Sequence, residues 1–151
     1  MFKIMFVCHG NICRSPMAEF IMKDVVKKRG VADKFYIVSS ATSYDEIGSG
    51  VHYGTRKILD RLNIDYSKKR AVKLLKEDYD KYDYIIGMDE INIRNMNRIF
   101  GGDPDNKIYK LLDFTSLSGD VADPWYTGDF ESTYRDVVNG VEGLINTILK
   151  A

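Results

Sequence analysis

Cys8-His9-Gly10-Asn11-Ile12-Cys13-Arg14-Ser15-Pro16 joins an apolar run, Phe2–Val7, to a helical stretch, Pro16–Arg29. The run reads as a buried strand. A loop from strand end to helix start turns its backbone N–H groups inward and meets the positive end of the helix dipole, which makes it an anion site before any side chain is counted. The same surroundings favour thiolate over thiol and make Cys8 a candidate nucleophile. The planar fork of Arg14 matches two oxygens of a phosphate. Ser15 fits an N-cap followed by proline at the first helical position, with a hydroxyl free to donate to the Cys8 sulfur. A Cys-x5-Arg spacing alone is weak. Strand before, Gly-Asn within, and Ser-Pro plus helix after make it specific.

Outside this loop the chain is ordinary. Its 151 residues suit one domain, 1–151, and 44% hydrophobic with 29% charged residues fits a globular protein. The 22 basic residues balance 22 acidic ones, so no global field recruits nucleic acid or an anionic membrane. No apolar stretch reaches transmembrane length, and residues 1–7 are too short for a signal peptide. Both cysteines lie in one loop and cannot staple a secreted scaffold, which favours a reducing, cytoplasmic setting. His9 and His52 lack partners at recognised ligand spacing, so no metal site is expected.

Strands are expected at Phe2–Val7, Phe35–Ser39, Tyr84–Gly87 and Lys107–Leu111, alternating with helices. Val51, Thr55, Ile58, Leu59 and Leu62 share one helical face, and Phe130, Tyr134, Val137, Val141, Leu144, Ile145 and Ile148 share a longer one. Short apolar strands separated by helices indicate an α/β fold with a parallel sheet covered on both faces. Ligands bind at the carboxyl ends of such strands, where Cys8 stands.

A phosphate-transferring cysteine needs a proton donor for the leaving group and a base for water. Asp123-Pro124-Trp125-Tyr126 is the best source, since proline fixes the loop and the aromatics suit a flat aryl substrate. Asp89 follows the third strand and fits a helix cap, a brace for Arg14, or both. Ser39 ends the second strand, where its hydroxyl can reach Asn11 and shape the loop.

With these constellations in place, the chain resembles the low-molecular-weight protein tyrosine phosphatases over essentially its whole length. Cys8 through Glu19 resembles the N-terminal signature, Val38 through Ser43 the segment after the second strand, Tyr82 through Asp89 the third strand, and Asp123 through Tyr126 with Phe130-Glu131 the general-acid loop. The resemblance implies a four-stranded parallel sheet flanked by helices, with the phosphate-binding loop between first strand and first helix and no cofactor. It implies Cys8 as nucleophile, Arg14 as phosphate clamp and Asp123 as general acid then base. Backbone N–H groups of His9, Gly10, Asn11, Ile12, Cys13 and Arg14 would hold the phosphate. Ser15 would stabilise the thiolate, Asn11 and Ser39 would shape the loop, and Asp89 would orient Arg14. Tyr44, Trp125 and Tyr126 would wall the substrate pocket. Cys13 would trap oxidised Cys8 as a disulfide, making the enzyme redox-sensitive.

The departures are specific. Where the family often has a histidine linked to the Asn–Ser network, Ser67-Lys68-Lys69-Arg70-Ala71 offers Lys69 as nearest match. His9 replaces a common aliphatic residue and is expected to face solvent. Trp125 stands where tyrosine is common. Phosphoarginine phosphatases of the family carry threonine at the position of Ile12, so isoleucine argues for phosphotyrosine. Arsenate reductases on this scaffold use further cysteines, and none follows Cys13. A phosphate-binding module without turnover would lack Cys8 or Asp123. The expected partner is a phosphotyrosine protein, and the expected state is a monomer or weak homodimer.

Overall fold

A computed structural model describes residues 1–150 and contains a four-stranded, all-parallel sheet in the order β2-β1-β3-β4. Its strands are β1 (Phe2–Cys8), β2 (Phe35–Ala41), β3 (Tyr84–Gly87) and β4 (Ile108–Lys110). The helices are α1 (Arg14–Lys28), α2 (Tyr53–Arg61), α3 (Asp78–Lys81), α4 (Glu90–Phe100), α5 (Pro124–Thr127) and α6 (Phe130–Lys150). Among the described residues, no helix is long and apolar enough to cross a membrane.

From Ile4 onward β1 has no polar alternate because both faces are covered there. Ile4, Phe6 and Cys8 point into a core shared with α1 and α6, while Met5 and Val7 point into a second core with Ile85, Met96 and Phe100. The two-residue period of the strand thus divides one continuous run between two cores. Because β1 lies between β2 and β3, the chain leaves it toward opposite edges, opening a crevice at the strands' carboxyl ends.

Three expectations require correction. Helix α1 starts at Arg14, two residues before Pro16, so Ser15 is not its cap. Cys13 holds that position and offers no side-chain cap bond. Proline at the third helical position is tolerated because first-turn N–H groups have no partner inside the helix. Strand β2 runs to Ala41, where its backbone bonds Val72 and Leu74 extend the ladder. Strand β4 is shorter than expected, because Leu111 turns into a 3-10 helix, Leu111–Phe114, and is buried against α6.

That last contact depends on glycine. A Cβ on Gly140 would overlap the Leu111 side chain, and one on Gly143 would overlap the backbone carbonyl of Phe114. A flexible side chain can give way, but the carbonyl belongs to the 3-10 turn. Gly143→Ala therefore loses about 1–3 kcal/mol of stability by overpacking, despite the ~1 kcal/mol helix-propensity gain. Urea unfolding checks this, and a net stabilisation would show that α6 does not approach the turn so closely.

Candidate active site

Strand β1 delivers Cys8 to the crevice, and the next six residues wrap around its sulfur. Asn11 adopts a left-handed backbone conformation, with φ of 59°, which asparagine tolerates better than most residues. This turns its own N–H toward Cys8 Sγ at 3.3 Å, while Ser15 Oγ approaches the sulfur at 3.0 Å. Among the described residues, the backbone N–H groups of Gly10, Ile12 and Cys13 meet no acceptor. They are free for an anion held in front of the sulfur.

The Asn11 side chain fixes that turn. Its Nδ2 donates to Ser15 Oγ at 2.8 Å and Ser39 Oγ at 2.9 Å, and its Oδ1 accepts from Val72 N at 3.1 Å. Ser39 in turn donates to Glu19 Oε1 at 2.5 Å. Glu19 is buried and pairs with Lys23 Nζ at 2.6 Å, and Lys69 Nζ lies 3.7 Å from it and donates to the Ser39 carbonyl at 3.0 Å. Burial lowers the Lys69 pKa from its ordinary value although Glu19 pulls it upward. The Asn–Ser network thus extends to Lys69. Glu19 belongs to the loop signature, but the sequence alone does not mark it as the carboxylate between Ser39 and two lysines. Its i, i+4 spacing to Lys23 was the available signal.

Arg14 is 2% exposed. One end of its fork, Nη1, donates to Asp89 Oδ2 at 2.7 Å and to the Val121 carbonyl at 2.9 Å. Its Nη2 lies 3.4 Å from Asp123 Oδ2. Burial opposes the guanidinium charge, yet Cys8 and Asp89 outweigh it and raise the pKa further. Asp89 both braces Arg14 and caps α4, because its Oδ1 accepts from Asn92 N at 2.8 Å.

Asp123 caps the four-residue α5, with Oδ1 accepting from Trp125 N at 3.0 Å. Its other oxygen faces Arg14 across the cleft. Neighbouring carboxylates are committed elsewhere. Asp120 takes Lys110 Nζ and Glu90 N, and Asp129 takes Ser132 N in the first turn of α6.

These groups share a cleft of about 420 Å³ that Cys8, Ile12, Cys13, Arg14, Asp89 and Asp123 line. Trp125 and Tyr126 stand at its mouth, 60% and 85% exposed. Tyr44 does not line the cleft. It is 76% exposed with the Lys73 ammonium 4.8 Å over its ring, and Asp45 and Glu46 take the rim position instead. The cause is local, since the turn after Ser43 leaves Tyr44 outside and brings Asp45 and Glu46 to the rim. His9 is half exposed as expected of a solvent-facing residue, but it also lines the rim and bonds Asp45 Oδ2 at 2.8 Å.

Residues 3–151 match the family described as low molecular weight phosphotyrosine protein phosphatase. The low molecular weight protein-tyrosine-phosphatase YfkJ of Bacillus subtilis strain 168 is 40% identical over 152 residues, which cover 99% of this chain and 97% of the relative. The crystal structure of YfkJ aligns with a TM-score of 0.96 at 39% identity, over 99% of this chain and 96% of that one. SP-PTP, a low molecular weight protein tyrosine phosphatase from Streptococcus pyogenes, aligns with a TM-score of 0.86 at 42% identity, over 97% and 93% of the two chains. DARP, a drosophila arginine phosphatase, aligns with a TM-score of 0.86 at 25% identity, over 97% and 98%.

The surroundings of Cys13 hold the proton on its thiol. Burial, then the negative charges of Cys8 and Asp123, push the Cys13 thiol up to about 12. Below that pH Cys13 stays protonated and a poor nucleophile. Iodoacetamide at mildly alkaline pH is therefore expected to label Cys8 and spare Cys13 while the protein is folded. Peptide mapping by mass spectrometry reads the result. Labelling of Cys13 at a comparable rate would show that its proton is not held.

Proposed function

The chain belongs to the low molecular weight phosphotyrosine protein phosphatase family, and on that premise we propose that Cys8, Arg14 and Asp123 carry out its cysteine-dependent hydrolysis of phosphotyrosine in proteins. One observation supports these roles above the others. The Cys8 sulfur sits between the Asn11 N–H and the Ser15 hydroxyl, beneath unpartnered loop amides, with Arg14 and Asp123 across the cleft.

In the first step, Cys8 Sγ attacks phosphorus in line with the tyrosine oxygen. The S–P bond forms as the P–O bond breaks. Both hydrogens of Arg14 Nη1 are engaged by Asp89 and Val121. The clamp on the phosphoryl oxygens is therefore the Nη2–Nε edge. The loop amides of His9 to Arg14 that are free of the sulfur, Gly10, Ile12 and Cys13 among them, hold the equatorial oxygens, while the Asn11 N–H stays on Cys8 Sγ. Asp123 gives its proton to the departing phenol oxygen. The proton belongs on Oδ2, which faces the cleft, while Oδ1 keeps the Trp125 N–H and Arg14 Nη2, 3.4 Å from Oδ2, turns to the phosphate. In the second step, water attacks phosphorus, the Asp123 carboxylate takes the water proton, and the S–P bond breaks to return the Cys8 thiolate. Asp89 orients Arg14, Ser15 stabilises the sulfur anion, and Asn11 with Ser39 maintains the loop. This chemistry needs no cofactor.

Aromatic walls from Trp125 and Tyr126, with Ile12 in the loop, favour an aryl phosphate over phosphoarginine. The substrate partner is a phosphotyrosine protein. We further infer one catalytic domain, 1–151, acting in the cytoplasm as a monomer or weak homodimer, with no nucleic-acid or membrane partner; Ala151 lies outside the described residues. A reducing compartment keeps Cys8 active, and reversible oxidation with Cys13 would make it redox-sensitive.

Two measurements test this reading. Phosphotyrosine peptides are expected to turn over about 10²-fold faster than phosphoserine or phosphoarginine peptides of the same sequence. Preference for phosphoarginine would reverse the substrate assignment. Asp123→Asn keeps shape and cap but has no transferable proton. Single-turnover phenol release by this variant is expected to fall steeply as leaving-group pKa rises, by on the order of 10²–10⁴-fold for poor leaving groups. Parallel slopes for variant and wild type would remove Asp123 as the acid.

A further inference from the structure

His52 has no place in the chemistry above, yet it touches both halves of the site. Its backbone N–H donates to the Ile12 carbonyl of the phosphate loop at 2.8 Å. It is the N-cap of α2, with Nδ1 accepting from Gly54 N at 3.1 Å. That bond fixes the plane of the imidazole. One face stacks on Phe130, with centroids 5.4 Å apart and planes 6° apart. Trp125 meets the ring edge-on, at 5.5 Å and 68°.

These two aromatics bracket the segment that carries the general acid. Trp125 supplies the N–H that orients Asp123 Oδ1, and Phe130 begins α6. On its N-terminal side the segment is held by Val121, which bonds Met88 and Arg14, and by the Ala122 carbonyl, which accepts from Thr133, but past Pro124 little else holds it. Helix α5 is four residues long, too short to be stable alone, and Trp125 is 60% exposed. Phe130 also packs against Ile12, Cys13 and Ala71, and α2 presents Gly54 to its ring with no room for a Cβ.

We propose that His52 is a positioning residue for the general acid: its ring, fixed by the α2 cap and tied through its backbone to Ile12, is the wall that sets Trp125 and hence the Asp123 carboxyl relative to the phosphate loop. The inference rests on Asp123 being the acid. An ordinary cap would need the Nδ1 acceptor and not the ring. A positioning wall needs the ring.

Two substitutions separate these demands. His52→Asn keeps an acceptor for Gly54 N and loses the ring, whereas His52→Phe keeps a flat ring and loses the acceptor. The assay is single-turnover phenol release across substituted phenyl phosphates. His52→Asn is expected to steepen the dependence on leaving-group pKa, with about 10- to 10²-fold loss at unactivated phenols. His52→Phe is expected to restore the wild-type slope. Trp125 is the sole tryptophan, so acrylamide quenching of its fluorescence reports the contact directly and should rise in His52→Asn only. A wild-type slope for His52→Asn, or equal steepening by both variants, overturns the proposal. Asp123→Asn run alongside separates the failures. If it too shows a wild-type slope, the general-acid reading falls; if it alone steepens the slope, only the role of His52 falls. Should His52→Asn fail to fold, Trp125→Leu removes the other side of the contact, with the same expected steepening and the same overturning result.

Discussion

The side-chain amide of Asn11 commits both of its N–H groups to hydroxyls, Ser15 at 2.8 Å and Ser39 at 2.9 Å, in a place where water has no access. An amide nitrogen only donates, so each hydroxyl accepts there and must send its own proton onward. Ser39 sends it to Glu19, and Ser15 has Cys8 Sγ within reach. The chain of bonds therefore donates outward from its centre and ends on an acceptor at each side. A carboxylate fits one end and a thiolate fits the other. A Cys8 thiol donating to Ser15 would leave the serine proton without an acceptor at a fully buried position, which is costly. The loop's left-handed turn at Asn11 is held by these same bonds, so loop shape and the donors that face the sulfur have one origin.

Glu19 places a buried negative charge behind this network, and its own environment shows how it is tolerated. Lys23 reaches it from the next turn of α1, and Lys69 arrives from the segment before α3. Lysine at the latter position does what an imidazole could do as a donor, but with a point charge on a long stem. It donates to the Ser39 backbone as well, so the cation fixes both the carboxylate and the strand end that carries the serine. A similar balance holds for Arg14, buried among Cys8, Asp89 and Asp123. Cys13 has no such support. It shares the loop with Cys8, but burial and nearby negative charge keep its proton on. Two cysteines five residues apart thus have different surroundings, since only the Cys8 sulfur meets the Asn11 N–H and the Ser15 hydroxyl.

Period and spacing carried the sheet, its parallel order, the long face of α6 and the residues Cys8, Arg14, Asp89 and Asp123. These signals are local: an apolar run of strand length, a helix face repeating every three to four residues, an acid just before Pro124. What escaped was set by contacts across long stretches of chain. Ser15 fits a cap by its place before Pro16, yet its hydroxyl is drawn to Cys8 and Asn11, and the helix begins one residue earlier at Arg14. Tyr44 carries the right ring for the pocket, but the turn it sits in sends Asp45 and Glu46 to the rim. The Val121 carbonyl on Arg14 leaves no trace in residue identity, since any residue has one. His52 has only its cap position to mark it, and its aromatic neighbours lie more than seventy residues downstream.

The acid loop shows why such distant contacts matter to the chemistry. Asp123 uses its two oxygens for different work. Oδ1 accepts the Trp125 N–H and starts α5, while Oδ2 faces the guanidinium. A proton on Oδ2 leaves Oδ1 a carbonyl-type oxygen, still able to accept that N–H. The cap therefore survives both arrival and departure of the proton. Acid and base steps can use one rotamer, so the carboxyl need not reorganise between forming the cysteinyl-phosphate and breaking it. This economy holds only while the Trp125 amide stays where it is. Helix α5 is too short to fix itself, and beyond the bonds that hold Val121 and Ala122 the constraint we propose on that amide is the aromatic packing of Trp125 and Phe130 around His52, tied to the phosphate loop through the bond from His52 to Ile12. On this proposal one residue that touches neither the sulfur nor the acid joins the loop that would bind the phosphate to the loop that would supply the proton, beside the bond from Arg14 to the Val121 carbonyl.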